Sequence, residues 1–89
     1  MATLHLLIKG KVQGVFYRAS AKQVADKLGL TGWIKNTVQG EVEALATGDE
    51  PSLQKFVTWC EQGPAGAVVS KVVATTMVET SFVDFKVIR

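Results

Sequence analysis

Apolar and polar residues alternate from Thr3 to Lys9, with Leu4, Leu6 and Ile8 on one side and Thr3, His5 and Lys9 on the other. A two-residue period predicts a strand with one face toward a core, Leu7 being the one exception. The period then changes. Ala21, Val24, Ala25 and Leu28 fall at i, i+3, i+4 and i+7, with Lys22, Gln23, Asp26 and Lys27 on the opposite side. That spacing predicts an amphipathic helix, and Gly29 supplies its C-terminal stop. Gly32 to Thr37 and Glu41 to Thr47 flank Val38-Gln39-Gly40, which reads as a hairpin around a glycine-containing turn. Asp49-Glu50-Pro51-Ser52 has the acidic, capped start of a second helix. Leu53, Phe56, Val57 and Cys60 continue it to Gly63-Pro64. Val68 to Glu79 is rich in valine and threonine and predicts a long strand; Phe82 to Ile88 predicts another.

The order β-α-β-β-α-β with a further strand implies one α+β domain over residues 1–89. Its simplest closure is a ferredoxin-like, split β-α-β sandwich: a mostly antiparallel four- to five-stranded sheet with two helices on one face. In that topology the first two strands are parallel, with the third antiparallel between them. The first ends at Gly10 and the second near Asn36, so both ends reach the same edge of the sheet. If the Val68 to Glu79 strand lies at an edge, self-pairing is conceivable, although a monomer is the expectation.

With 47% apolar and 20% charged residues, the 89-residue chain has the balance of a folded domain. No apolar run is long enough to span a membrane, and the N-terminus lacks the pattern of a signal peptide. The single cysteine, Cys60, excludes an internal disulfide and suits a cytoplasmic location. A net charge of +2 gives no argument for nucleic acid, though a local basic group can still hold a small anion.

Residues 10–18 read GKVQGVFYR. A strand that turns sharply into a helix leaves N–H groups unpaired at the helix start, where the macrodipole attracts anions. Glycines at 10 and 14 would let those groups converge. Arg18, at or near the first helical turn, opposes the dipole unless a bound phosphate compensates it. From spacing alone, a plain strand–turn–helix with a solvated arginine reads equally well, and the loop lacks the Walker A pattern. Asn36 suits the hairpin turn for local reasons, but its topological adjacency to Arg18 would also let it orient a water. His5 stands mid-strand without a partner ligand, Cys60 shares an apolar helix face, and Glu41 and Glu43 read as an exposed pair. Trp33 and Trp59 read as core or rim aromatics. No cysteine or histidine spacing suits a metal.

GKVQGVFYR followed by GWIKNTVQGEVE resembles the acylphosphatase family, whose signatures have the forms G-x-V-Q-G-V-x-[FY]-R and G-[FWY]-[IV]-x-N-x-x-x-G-x-V-E. Gly63-Pro64 with Ala67 and Val68 resembles that family's exit from the second helix. Gln39 departs from the Asp often found before the turn glycine, a position remote from the chemistry. The resemblance implies metal-free and cofactor-free hydrolysis of an acyl phosphate to a carboxylate and inorganic phosphate. By position, Arg18 and the N–H groups of Gln13, Gly14, Val15, Phe16, Tyr17 and Arg18 would hold the phosphate, and Asn36 the attacking water. The substrate's own phosphate would accept the water's proton, so that no side-chain base is needed. An RNA-binding module is disfavoured because EVEALAT, the third strand, has no aromatic and two acids. A regulatory domain that binds an anion without chemistry stays open. Similar domains also begin larger carbamoyl-transferring maturation proteins; the end at Arg89, just after the last strand, favours a stand-alone enzyme.

Overall fold

The computed structural model describes residues 1–88. Along the chain run β1 (Ala2–Lys11), α1 (Tyr17–Lys27), β2 (Thr31–Asn36), β3 (Val42–Gly48), α2 (Glu50–Gln62), β4 (Val68–Met77) and β5 (Phe85–Val87). The five strands form one sheet in the order β4-β1-β3-β2-β5. β3 lies antiparallel between β1 and β2, as the split β-α-β arrangement requires, and β5 pairs in parallel with β2. β4 is an edge strand, antiparallel to β1.

The alternation in β1 places Leu6 and Ile8 on the helix-covered face with Ile34, Val42, Ala44 and Ala46. From the helices, Tyr17, Ala21, Ala25, Leu53, Phe56 and Cys60 complete one buried cluster. Phe56 meets Phe85 edge-on at 5.8 Å, and Tyr17 tilts against Trp59 at 5.3 Å. Aromatic pairs in these geometries add to the effect of area burial itself.

Thr3 was expected to face solvent and is fully buried. The cause lies in the last third of the chain. β4 and β5 occupy opposite edges, roughly 19 Å apart at ordinary strand spacing, and the chain from Met77 to Phe85 must cross that distance. The crossing segment passes over Thr3 and Thr47. Thr80 N–H donates to Thr3 Oγ1 at 2.9 Å, Thr47 Oγ1 donates to Thr80 O at 2.7 Å, and the two threonine hydroxyls lie 2.7 Å apart. This crossing also explains why β4 stops at Met77 rather than Glu79, and why β5 begins at Phe85 rather than Phe82.

On the open face, Glu43 Oε2 lies 2.6 Å from His5 Nε2, and Glu43 sits 3.7 Å from Lys35; Glu41 lies 3.9 Å from Lys9. The two acids are therefore paired and part-buried, not simply exposed, and His5 is tied to the sheet surface by Glu43. His5 reaches Glu43 diagonally, whereas Lys35 stands directly opposite Glu43 in the β2–β3 register. Such surface pairs contribute little to stability.

Candidate active site

Where β1 ends, three different demands shape the loop into α1. Val12 turns inward and is buried. Gln13 uses its side-chain amide to tie the loop to the β2–β3 turn, donating to Thr37 O at 2.9 Å and to Glu41 O at 2.8 Å. Gly14 (φ 73°) and Phe16 (φ 60°) both take left-handed backbone, with Val15 between them at negative φ. Alternation of this kind is the backbone pattern from which anion-binding nests are built. Gly10 plays no part in that curl. It belongs to β1 at a register shift against β4, and a Cβ there would sit 2.2 Å from Val68 O. Its glycine is required by the close approach of a neighbouring strand, so of the two loop glycines only Gly14 shapes the concavity.

Phe16 is the N-cap of α1, and no side chain caps the helix start. Left-handed backbone at a residue other than glycine costs roughly 1–2 kcal/mol. No acid stands in the first turn of α1, which holds Arg18 instead. The turn is anchored from behind: Tyr17 is buried and its hydroxyl donates to Cys60 O at 2.6 Å. Burial, reinforced by Cys60, pushes the Tyr17 phenol well above its ordinary value. The Cys60 thiol is pushed up to about 12, chiefly by burial. Both groups stay protonated near neutral pH, and neither serves as an acid or base there.

Arg18 and Asn36 meet, as the parallel course of β1 and β2 predicts. A cavity of about 400 Å³ is lined by Val12, Gly14, Phe16, Tyr17, Arg18, Ala19, Asn36 and Val87. An adjoining one of about 370 Å³ shares Arg18 and Asn36 and adds Lys35 and Ile88. Arg18 donates from Nη1 to Ile88 O at 3.0 Å. β5, whose order in the sheet the hydrophobic pattern does not reveal, thus brings the end of the chain against the arginine. Asn36 Oδ1 is buried and accepts no hydrogen bond among the described residues. A buried acceptor without a donor is costly, and the residue that carries it lines a cavity roomy enough for water. No aspartate, glutamate or histidine lines either cavity. Among the described residues, no three of His, Cys, Asp and Glu come together as metal ligands would.

The sequence and the fold have close counterparts. The profile of the acylphosphatase family matches residues 4–87. The chain belongs to the acylphosphatase family. It is 49% identical to an acylphosphatase of Marinobacter nauticus over 83 residues, which covers 92% of this chain and 90% of the relative. The crystal structure of acylphosphatase from Bacillus subtilis superposes with a TM-score of 0.96 at 33% identity, and each chain is covered in full. The acylphosphatase structure from Coxiella burnetii gives a TM-score of 0.94 at 41% identity, covering 97% of this chain and 90% of that one.

Proposed function

We propose that Arg18 and the N–H groups of the Gln13–Arg18 loop hold the phosphate of an acyl phosphate, while Asn36 orients the water that attacks it. The reaction is that of the family: hydrolysis of the carboxyl–phosphate bond, giving a carboxylate and inorganic phosphate. The protein is accordingly a hydrolase acting on acid anhydrides. The observation that carries the assignment of roles is that Asn36 and Arg18 line one cavity at a helix start that no side chain caps, with Asn36 Oδ1 buried and without a partner among the described residues.

Each step follows from what these groups can do. The nest and the dipole favour a dianion at the start of α1, and the guanidinium can meet two of its oxygens at once. Asn36 Oδ1 accepts a hydrogen from a water and leaves the water's lone pair facing phosphorus. The water oxygen bonds to phosphorus as the bond from phosphorus to the acyl oxygen breaks, and the electron pair departs with the carboxylate. The water's proton passes to a phosphate oxygen, since the cavity lining offers no side-chain base. A carboxylate is a good leaving group, so positioning and charge stabilisation supply most of the catalysis.

The proposed site lies within one chain and calls for neither a second copy nor a metal. A monomer working in the cytoplasm fits it, with Cys60 as a buried free thiol. Among the described residues, no helix is long and apolar enough to cross a membrane. The test is release of phosphate from benzoyl phosphate by wild type, Arg18→Ala and Asn36→Ala, in buffer with excess chelator. Wild type turns over in chelator and both variants are severely impaired. Wild-type-like turnover by either variant refutes the assigned roles, and an inert wild type refutes the activity.

A further inference from the structure

The mouth of the cavity carries a side chain that neither the fold nor the nest requires. The nest needs left-handed backbone at position 16, and glycine is the residue that adopts it without strain. The chain has phenylalanine there, at φ 60°, with 82% of its surface exposed. Its ring belongs neither to the buried core nor to the partly buried residues packed against it. Two unfavourable features therefore coincide at one residue, with no core contact to offset them. Ala19 is exposed and Val87 half-buried, and both line the same cavity as Phe16, Arg18 and Asn36. On the other flank of Arg18, Lys35 is already engaged, 3.7 Å from Glu43 and 5.3 Å from the Trp33 ring centre. The unengaged surface next to the anion site is thus apolar and aromatic.

We propose that Phe16, with Ala19 and Val87, forms the subsite for the acyl group and selects acyl phosphates that carry an aromatic or branched apolar substituent over acetyl-sized ones. The proposal rests on phosphate being held at Arg18 as described above. An exposed ring gains contact when a flat apolar group covers it, in offset or edge-to-face geometry. Its backbone is held by the nest and by the Phe16 carbonyl, which accepts Ser20 N–H at 3.1 Å. With the backbone held, only the two side-chain torsions of the ring remain to be fixed on binding, which limits the entropic cost.

The experiment compares kcat/KM for benzoyl phosphate and acetyl phosphate in wild type, Phe16→Gly and Phe16→Tyr, with inhibition by inorganic phosphate measured alongside. Phe16→Gly removes the ring and suits the left-handed backbone, so the loop keeps its shape. Comparing the benzoyl-to-acetyl ratio of each variant with that of wild type cancels the intrinsic reactivities of the two substrates. The ratio falls roughly three- to tenfold in Phe16→Gly and stays within about twofold of wild type in Phe16→Tyr. A Phe16→Gly variant that slows both substrates in proportion overturns the subsite while leaving the phosphate site intact. A wild type inert toward both substrates, or insensitive to inorganic phosphate, overturns the underlying function as well.

Discussion

At the start of α2 the Asp49 carboxylate accepts Ser52 N–H at 2.9 Å, Glu50 adds an acid to the first turn, and Pro51 stands where its missing N–H does no harm. At the start of α1 there is no side-chain cap and no acid; a left-handed Phe16 precedes a turn that contains Arg18. By local rules α1 begins badly, since a cation at this end is unfavourable by roughly 0.3–1 kcal/mol. The difference lies in what holds each first turn. α2 is held by capping. α1 is held by packing, through Tyr17 against Trp59 and through its hydroxyl on Cys60 O. A helix start stabilised from behind keeps its N–H groups and its dipole free at the front, which is what an anion site needs.

The strongest way to break that comparison is to remove the charge that only α1 tolerates. Arg18→Ala should lower kcat/KM for benzoyl phosphate by on the order of 10³–10⁴, and raise the inhibition constant for inorganic phosphate in parallel. Loss of turnover without loss of phosphate affinity would assign Arg18 to something other than holding the anion. Asn36→Ala should act differently. Its kcat should fall by on the order of 10²–10³, while the phosphate inhibition constant stays within about threefold. On the proposed route, with the proton passing to the substrate, the pH profile of kcat/KM should keep its inflections in Asn36→Ala. An inflection that vanishes in this variant would point to a side-chain base.

A smaller effect is expected from making α1 begin like α2. Phe16→Asp places an acid at the uncapped start, at a position whose left-handed backbone aspartate adopts more readily than phenylalanine does. The new carboxylate improves the helix and competes with the phosphate. The inhibition constant for phosphate should rise on the order of tenfold at low salt and recover partly as salt screens the repulsion. Unchanged affinity at low salt would mean that phosphate does not bind at this end of α1.

How much of this could be read from the sequence follows from the range of each interaction. The strand and helix periods gave the element order, and the parallel course of β1 and β2 followed from topology. That course also placed Arg18 beside Asn36, across 18 positions of sequence. Interactions that depend on register or on chain crossing were not legible. Thr3 looked solvent-facing because nothing in its alternation announces that the 78–84 segment will pass over it. The pairing of His5 with Glu43 needs a diagonal register that period alone cannot supply. Gly10 read as part of the loop because a glycine required by a neighbouring strand looks the same in sequence as one required by a turn. Phe16 was the hardest case, since aromatic residues seldom take positive φ and the chain carries no local sign that this one does.

The mildest perturbation belongs to the conventional helix. Asp49→Ala removes the cap of α2 far from the cavity, so it should lower the melting temperature by a few degrees and leave kcat and KM as in wild type. The hydrogen bonds from Ser52 hold the Asp49 carboxyl below its ordinary value of 3.8. A group depressed in the folded state contributes stability above its unfolded value and loses it as pH falls through the folded one. The melting difference between wild type and Asp49→Ala should therefore be constant near neutrality and shrink once the pH drops below 3.8. A difference that persisted in acid would place the role of Asp49 in packing rather than in its charged cap. A change in KM would mean that the two helix starts, which differ in every local feature, are nonetheless coupled through the sheet.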